Sequence, residues 1–259
     1  MNYPDNLFLN TTMHIIAFIP SRYDSSRFPG KPLAPIAGKP MIQYVCECAT
    51  SCPDISDVYV ATDDERIFQH VNDFGGKAVM TGAEHPSGTD RIAEAAQSLD
   101  LKKDDLIVNI QGDQPVFHSS VISDMIAPLV EDITIPMGTL KYRIEDENEV
   151  ENSNIVKVIT DNDGFALYFS RSPIPFYRDS KSEHAHYKHL GFYVYRMDFL
   201  LKFSRLTGGV LEAAEKLEQL RALEHGYRIK VVETGSDSIE VDTPEDIKKV
   251  ESLIKRSSQ

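Results

Sequence analysis

The stretch HIIAFIPSRYDSSRFPGK, residues 14–31, is the part of the sequence that decides the predicted fold. Its first six residues form a largely apolar run, which is typical of a strand buried on both faces of a parallel sheet. A loop rich in Gly, Pro and cationic side chains follows directly. After the loop, Pro40 predicts the start of a helix, because proline is favoured in the first helical position. The stretch therefore indicates a strand, a connecting loop of unusual composition and a helix, in that order.

The same alternation of strand and helix continues through the first 110 residues. Strand patterns at residues 57–62, 77–81 and 106–110 are separated by helical patterns. This order predicts an α/β fold with a doubly wound, mostly parallel sheet. Because such sheets bind ligands at the carboxyl ends of their strands, the loops at 19–31 and 111–115 are the expected location of a site.

In the second half of the chain the pattern changes. Four segments with alternating β-branched and aromatic residues predict an antiparallel extension over about 136–210, which would serve as a lid or a dimerisation element. Leucines at helical spacing in residues 213–226 then predict one helix that ends at a glycine. We expect a single domain over residues 1–259, in which residues 1–13 form a loose N-terminal extension and Met13 is an alternative start.

The composition is that of an acidic globular protein. The 259 residues include 27 Lys and Arg against 40 Asp and Glu, which gives a formal net charge of -13 and a pI near 5.0. This balance argues against a general nucleic-acid binder, which needs a broad basic face. No apolar run approaches the ~20 residues that cross a bilayer, so no membrane partner is expected. Three cysteines, an odd number at low density, indicate reduced thiols in the cytoplasm.

The loop after the first strand holds an excess of positive charge. Residues 19–40 contain four cations and one acid, although the whole chain is acidic. Gly30 lets the backbone approach a ligand closely, and Arg22 and Lys31 are the best candidates for contact with the phosphates of a triphosphate. The loop is not a Walker A motif, since proline follows Lys31 where serine or threonine is required. The alternative interpretation is a solvated surface loop.

Two aspartates follow predicted strands. Asp113 lies in QGDQP at the end of the fourth strand, and Asp242 lies in EVDTPED after a late strand. Two carboxylates that meet at strand ends can hold Mg2+, a hard ion that prefers oxygen ligands and phosphates. The alternative for each aspartate is a turn or a cap, and for Asp242 this is the better interpretation from the pattern alone.

Seven motifs along the chain carry a resemblance to a known family. They are IPSRYDSSRFPGKPLAPIAGKPMI, HPSGTDRIAEA, NIQGDQP, ALYFSRSPIPF, KHLGFYVY, LEQLRAL and VDTPEDI. In this order, over about 15–249, the chain resembles the 3-deoxy-manno-octulosonate (Kdo) cytidylyltransferases, also called CMP-Kdo synthetases. The resemblance implies a nucleotide-diphospho-sugar transferase-like fold that transfers CMP from CTP to an eight-carbon 3-deoxy-2-keto sugar acid and releases pyrophosphate. It also implies Mg2+ as cofactor, a homodimer, and a cytoplasmic role in lipopolysaccharide biosynthesis.

The resemblance implies a role for each candidate site residue. The implied catalytic residues are Asp113, Asp242, Lys31 and Arg22, of which the two aspartates are the metal ligands. The residues implied to bind CTP are Arg22, Lys31, Ser87, Gly88, Arg91 and Gln111. Those implied to bind the sugar acid are Arg171, His189, Tyr193, Glu218 and Gln219.

Several residues of these motifs also have a purely structural interpretation. Thr89, beside the segment expected to bind cytosine, is a candidate helix cap. A histidine such as His189 is more often a satisfied, partly buried side chain than a ligand contact. Glu218 lies in a predicted helix, where carboxylates are commonly solvated, and Glu212 is a weaker sugar-binding candidate of the same kind.

The sugar side departs from the family pattern. Gln114 gives QGDQP where the commoner family motif reads QGDEP. The stretch over 176–187 is shorter than in the family pattern, and residues 207–212 read TGGVLE in place of a P-S-P-L-E run. These departures resemble the subgroup that uses the 8-amino analogue of Kdo. One alternative is an enzyme for nine-carbon sialic-type acids, against which KHLGFY and LEQLRAL argue. Another is a non-catalytic nucleotide-sensing module, which would not need two metal-binding aspartates.

Overall fold

The computed structural model describes residues 13–24, 28–179 and 185–257, with side chains of the last helix described as far as Ile254. The predicted N-terminal extension therefore lies outside the described residues, apart from Met13. Within the described ranges the strands are β1 (Ile15–Ser21), β2 (Pro35–Ile36), β3 (Lys39–Pro40), β4 (Asp57–Thr62), β5 (Lys77–Met80), β6 (Leu106–Asn109), β7 (Met137–Arg143), β8 (Lys157–Thr160), β9 (Ala166–Ser170), β10 (Tyr187–Arg196) and β11 (Lys230–Glu233). The α-helices are α1 (Met41–Thr50), α2 (Glu65–Asp73), α3 (Gly88–Gln97), α4 (Ser120–Glu131), α5 (Glu147–Glu151), α6 (Met197–Phe203), α7 (Val210–Glu215), α8 (Leu220–Glu224) and α9 (Pro244–Ser257).

The central sheet has the strand order β11-β7-β10-β6-β1-β4-β5. β5, β4, β1 and β6 are mutually parallel, and β7 pairs in parallel with β11. β10 is antiparallel to both of its neighbours, β6 and β7, so it is the strand of this path that runs against the others. The expected mostly parallel α/β sheet is therefore confirmed.

β1 is buried on both faces, as its apolar run predicts. Ala17 and Ile19 pack with side chains of α1 and α4, whereas Ile16 and Phe18 pack with side chains of α3 and α6 on the opposite face. Phe18 is fully buried, and burial of such a side chain contributes about 1.5–3 kcal/mol. Helices on both faces of a mostly parallel sheet are the doubly wound arrangement.

An antiparallel extension lies beside β10. β8 pairs with β10 through Lys157 and Lys188, and β9 pairs with β8. Residues 136–210 thus contribute β7 and β10 to the central sheet and β8 and β9 to the extension. The Nζ atom of Lys157, which is fully buried, donates to the carbonyl oxygens of Asn152, Ile155 and Arg171, so it ties the start of β8 to the end of β9.

The single helix predicted over residues 213–226 is wrong. α7 ends at Glu215, Lys216 has a left-handed φ of 55°, and α8 begins only at Leu220. The physical reason is tertiary: the carbonyl oxygen of Glu215 accepts from Arg171 Nε at 2.7 Å, and its carboxylate accepts from Ser170 Oγ at 2.7 Å. These contacts turn the chain and present residues 217–219 to the interior.

Among the helices in the described part of the chain, none combines the length and the apolar character that a membrane span requires.

Candidate active site

Three loops meet at the carboxyl end of β1 and β6 because glycines allow their backbones to approach. A Cβ atom at Gly112 would lie 2.9 Å from Ser21 Oγ and 3.0 Å from the carbonyl oxygen of Pro20. A Cβ atom at Gly88 would lie 3.1 Å from Cγ of Pro20. The described parts of the predicted loops 19–31 and 111–115 therefore lie side by side, and the start of α3 borders them.

Lys31 joins the first loop to both aspartate segments. Gly30 precedes it with a φ of 71°, a conformation that favours glycine. Lys31 Nζ lies 2.6 Å from Asp113 Oδ2 and 3.1 Å from the carbonyl oxygen of Val241. The carbonyl oxygen of Asp113 accepts from the Val241 amide at 2.9 Å. The structure thus brings Lys31, Asp113 and the segment that carries Asp242 together.

Glu240 adds a third carboxylate beside the two aspartates. Glu240 is exposed as a residue, yet desolvation of its carboxyl by the surrounding protein, together with the nearby charges of Asp113 and Asp242, raises the pKa of that carboxyl to about 7. Such crowding of acids is costly unless a cation shares the space, and Lys31 supplies one positive charge. Hard carboxylate oxygens around a cation are the donor set that suits Mg2+, so Asp113 and Asp242 fit a magnesium ion chemically. Among the described residues, no group of three or more His, Cys, Asp or Glu is placed to hold a metal ion.

Arg22 reaches the segment expected to bind cytosine. Its Nη2 atom donates to the carbonyl oxygen of His85 and, at 3.5 Å, to that of Ser87. Ser87 caps α3, because its Oγ accepts from the Asp90 amide at 3.1 Å. Thr89 is therefore not the cap, contrary to the expectation; its hydroxyl donates instead to Glu218 Oε2 at 2.5 Å.

Arg91 is fully buried beneath this segment. Its Nη2 atom lies 2.9 Å from Asp63 Oδ2, and its Nη1 atom donates to Thr81 Oγ1 at 2.5 Å and to the carbonyl oxygen of Gly82 at 3.3 Å. The guanidinium thus fixes the chain that leads into α3, and its predicted contact with CTP stays a prediction.

Gln111 connects the loop after β6 with a bulge in β10. Its Nε2 atom donates to the carbonyl oxygen of Gly191 at 3.2 Å and to Asn109 Oδ1 at 3.3 Å. The pairing of β10 with β7 shifts register between Leu190 and Tyr193, and bulges of this kind redirect side chains next to active sites. Gln111 therefore lies between the loops at the carboxyl ends of β1 and β6 and the predicted sugar-binding residues of β10.

His189 is held as a neutral imidazole. Desolvation lowers its pKa to about 3, and its Nε2 atom lies 2.9 Å from Thr139 Oγ1. The Thr139 hydroxyl lies 2.6 Å from the carbonyl oxygen of Phe192 and donates to it. The hydroxyl proton is thus used, so Nε2 carries the imidazole proton and Nδ1 is the acceptor.

Glu218 and Gln219 follow the break between α7 and α8 and carry buried polar atoms. Glu218 Oε1 and Gln219 Nε2 are buried and have no hydrogen-bond partner within the described ranges. Burial raises the pKa of the Glu218 carboxyl, so a solvated helix face is excluded for this residue. The pKa of Tyr193 lies well above its ordinary value because of burial and the nearby charges of Glu218 and Glu240. Tyr193, Glu218 and Glu240 therefore lie close enough to interact electrostatically, and Gln219 directly follows Glu218 in the chain.

Arg171 is placed against α7 and the loop before β8. Its Nε atom donates to the carbonyl oxygen of Glu215 at 2.7 Å, and its Nη1 atom donates to that of Ser153 at 2.9 Å. Two nitrogens of its fork are used by the protein, and its predicted contact with a sugar carboxylate stays a prediction. Glu212, the weaker candidate, is held by Arg221 through a bidentate pair.

Sequence reasoning missed Glu240 and Thr139. Glu240 directly precedes the VDTPED motif, so its position two residues before Asp242 on a strand-like segment was a usable signal. Thr139 carried no signal, since only the register of β7 against β10 brings it to His189.

The fold and the site are those of a nucleotidyltransferase, and comparison with known proteins agrees. A family model described as cytidylyltransferase matches residues 16–231. A 3-deoxy-manno-octulosonate cytidylyltransferase of Syntrophus aciditrophicus is 56% identical over 240 residues, which are 93% of this chain and 97% of that protein. The enzyme of the same name from Geobacter metallireducens is 52% identical over 254 residues, 94% and 99% of the two chains. The chain belongs to the 3-deoxy-manno-octulosonate cytidylyltransferase family, as its motifs predict.

Solved structures confirm the fold. CMP:2-keto-3-deoxy-manno-octonic acid synthetase, solved in complex with CTP, matches with a TM-score of 0.89 and 40% identity over 94% of this chain and 99% of that one. A 4-diphosphocytidyl-2C-methyl-D-erythritol synthase matches with a TM-score of 0.64 at 12% identity, over 93% of this chain and 98% of the other, which shows a shared fold alone. The expected nucleotide-diphospho-sugar transferase-like architecture is therefore confirmed.

Proposed function

We propose that the protein transfers CMP from CTP to a Kdo-type eight-carbon 3-deoxy-2-keto sugar acid and releases pyrophosphate. The observation that carries the proposal is the meeting of Lys31, Asp113 and the Asp242 segment at the carboxyl end of the sheet. A cation and two carboxylates at that edge suit a triphosphate with its metal. Membership of the family supports the nature of both substrates.

On the nucleotide side, the residues present fit a magnesium ion held by Asp113 and Asp242. The ion would supply charge neutralisation of the triphosphate and of the departing pyrophosphate. Lys31 and Arg22 hold the phosphate chain by charge-assisted hydrogen bonds. Ser87 and Gly88, which border the site at the start of α3, face the cytosine.

Two further residues complete the nucleotide side. Arg91 keeps the base-binding segment in place through Asp63 and Thr81. Gln111 holds the Gly191 carbonyl at the junction between nucleotide and sugar.

On the sugar side, polar atoms that lack a protein partner in the described ranges are available to form hydrogen bonds with the hydroxyl groups of the sugar acid. His189 Nδ1 accepts from a hydroxyl, and Glu218 Oε1 and Gln219 Nε2 offer a buried acceptor and a buried donor. A buried polar atom left unpaired costs about 1–3 kcal/mol, and a bound polyol removes that cost. Tyr193 lies near Glu218 and Glu240, and Arg171 pairs with the sugar carboxylate.

The wider assignment follows from the reaction. The product is an activated sugar acid for lipopolysaccharide biosynthesis, and the proposed location is the cytoplasm. We assign a homodimer built on the antiparallel extension, because Leu167, Phe176 and Val210 are large apolar residues there, or beside it, with exposures of 59%, 89% and 80%. A second copy that covered these side chains would remove their apolar surface from water.

A substrate panel tests the proposal. Pyrophosphate release from CTP with Mg2+ is measured on addition of Kdo, its 8-amino analogue, or a nine-carbon sialic acid, with EDTA-treated reactions as control. We expect release with one or both eight-carbon acids. Release with the nine-carbon acid alone would replace the sugar assignment, and tight CTP binding without release with any acid would favour a nucleotide sensor.

A further inference from the structure

Glu240 occupies a position between the two halves of the site. On one side it interacts electrostatically with Asp113, Asp242 and Lys31. On the other side its charge acts on Tyr193, as that of Glu218 does. Glu240 Oε1 lies 3.7 Å from where a Cβ atom of Gly191 would be, so the absence of a side chain at residue 191 leaves the carboxylate uncovered.

The backbone around Glu240 is fixed by short antiparallel pairing. Val116 forms a bridge with Ile239, and the Val241 amide donates to the carbonyl oxygen of Asp113. Glu240 is therefore flanked on both sides by residues anchored to the loop that carries Asp113. Its carboxylate is placed by structure that also places a predicted metal ligand.

Gln114 holds the carboxylate in one orientation. The Gln114 side chain is fully buried, and its Nε2 atom donates to Glu240 Oε1 at 3.2 Å and to Ser238 Oγ at 3.5 Å. The reversed amide would place its oxygen against a carboxylate, so the observed orientation is the one that pairs. Within the described ranges, Glu240 Oε2 has no hydrogen-bond partner, and it is the atom left to meet a ligand.

We infer that Glu240 contacts the sugar acid and accepts a hydrogen bond from one of its hydroxyl groups, and that Gln114 is the positioning residue for this contact. The inference rests on the proposed function and assigns one more specificity-determining residue to it. A carboxylate at this place repels the carboxylate of the sugar acid and attracts its hydroxyl groups, so it orients the substrate between the phosphates and the His189 end of the site.

The test compares three variants in steady-state kinetics with CTP and the active eight-carbon acid. Glu240→Gln keeps the shape and removes the charged acceptor, so we expect the KM for the sugar acid to rise roughly ten- to one-hundredfold with the KM for CTP unchanged. Gln114→Glu places a second carboxylate against Glu240 and displaces it, so the same rise is expected. The double variant Gln114→Glu/Glu240→Gln restores an amide–carboxylate pair with reversed polarity, and we expect it to remain impaired.

The controls distinguish a contact of Glu240 with the substrate from a purely structural role of Glu240. Glu131→Gln changes an exposed glutamate of α4 and should leave both KM values unchanged. Melting temperature should not fall in Glu240→Gln, because the change removes a charge from beside two other acids. Full recovery of the sugar KM in the double variant, or an unchanged sugar KM in Glu240→Gln, would overturn the inference. Absence of turnover in the unmodified protein with every acid would instead overturn the proposed function, and the inference with it.

Discussion

The proposed nucleotide side and the proposed sugar side of the site are built on different principles. On the nucleotide side charged groups are already paired with protein partners: Lys31 with Asp113, Arg91 with Asp63, and Arg22 with the His85 carbonyl. On the sugar side, Glu218 Oε1 and Gln219 Nε2 are buried without a partner in the described part of the chain. A triphosphate can be held by charges fixed in advance, whereas a polyol is distinguished by groups that only it satisfies.

Replacement of Asp113 or Asp242 should have the largest effect on turnover, and it tests the proposed nucleotide side. We expect Asp113→Ala and Asp242→Ala each to lower turnover by more than ~100-fold, because each change removes a proposed metal ligand. Turnover is measured by pyrophosphate release at saturating Mg2+, and folding by circular dichroism. Asp124→Ala, an exposed residue of α4, is the matched control. A near-normal rate in either variant would remove that aspartate from the metal site.

Loss of Lys31 should have the next largest effect. Lys31→Ala removes a charge that is proposed to face the phosphates and leaves Asp113 without its partner at 2.6 Å, so we expect the kcat/KM for CTP to fall roughly ten- to one-hundredfold. Lys39→Ala is the control, since Lys39 pairs with Glu47 on the surface of α1. Equal, small effects of the two changes would show that the first loop does not bind phosphate.

The close approach of the Gly112 backbone to Pro20 and Ser21 should be prevented by one added methyl group. Gly112→Ala forces contact with Ser21 Oγ and the Pro20 carbonyl, and we expect a loss of about 1–3 kcal/mol in the free energy of unfolding together with a higher KM for CTP. Urea denaturation measures the loss. Gly235→Ala serves as control, because a Cβ atom there meets no atom within 4 Å; a similar cost in both variants would contradict the packing argument.

Local patterns predicted that the loop after β1 meets the loop after β6, and they predicted much less of the arrangement around Glu218 and His189. The apolar run of β1, the loop with Gly30 and Lys31, and QGDQP are each a continuous stretch of sequence, and the two loops each follow a predicted strand. Their meeting follows from the rule that parallel strands place their carboxyl ends at one edge.

The sugar side depends on contacts between segments far apart in the chain. The leucine spacing in residues 213–226 indicates a continuous helix, and only the contacts of Glu215 with Ser170 and Arg171 explain why α7 ends there. The tautomer of His189 likewise depends on Thr139, which lies 50 residues away. The hydrophobic periodicity within one segment carries no information about contacts between distant segments. The end of α7 and the tautomer of His189 could therefore be determined only from the structure.

The neutral state of His189 predicts a pH dependence that belongs to the sugar side. Its folded pKa of about 3 lies below the ordinary 6.5, so below pH 6.5 the unfolded chain binds a proton that the folded protein does not. The contribution of the neutral His189 imidazole to the free energy of unfolding is therefore fully present above about pH 6.5. It is lost as the pH falls from 6.5 towards 3, at up to about 1.4 kcal/mol per pH unit. Urea denaturation at several pH values should show a smaller acid loss in His189→Gln. The exposed His118→Gln control should keep the full loss, and equal pH slopes in His189→Gln and the unmodified protein would contradict the buried neutral imidazole.

The smallest expected effect concerns the backbone that presents Glu218 and Gln219. Lys216 has a φ of 55°, a left-handed conformation that costs an L-residue about 1–2 kcal/mol relative to glycine, part of which is offset because glycine gains more freedom when unfolded. Lys216→Gly should therefore raise the free energy of unfolding by up to about 1 kcal/mol. Lys216→Ala removes the same side-chain charge but keeps the backbone cost, so it should not give this gain. If the contacts of Glu215 set the bend, the KM for the sugar acid should stay unchanged in both variants. A rise in that KM in Lys216→Gly alone would show instead that the limited backbone freedom of residue 216 helps to hold Glu218 in place.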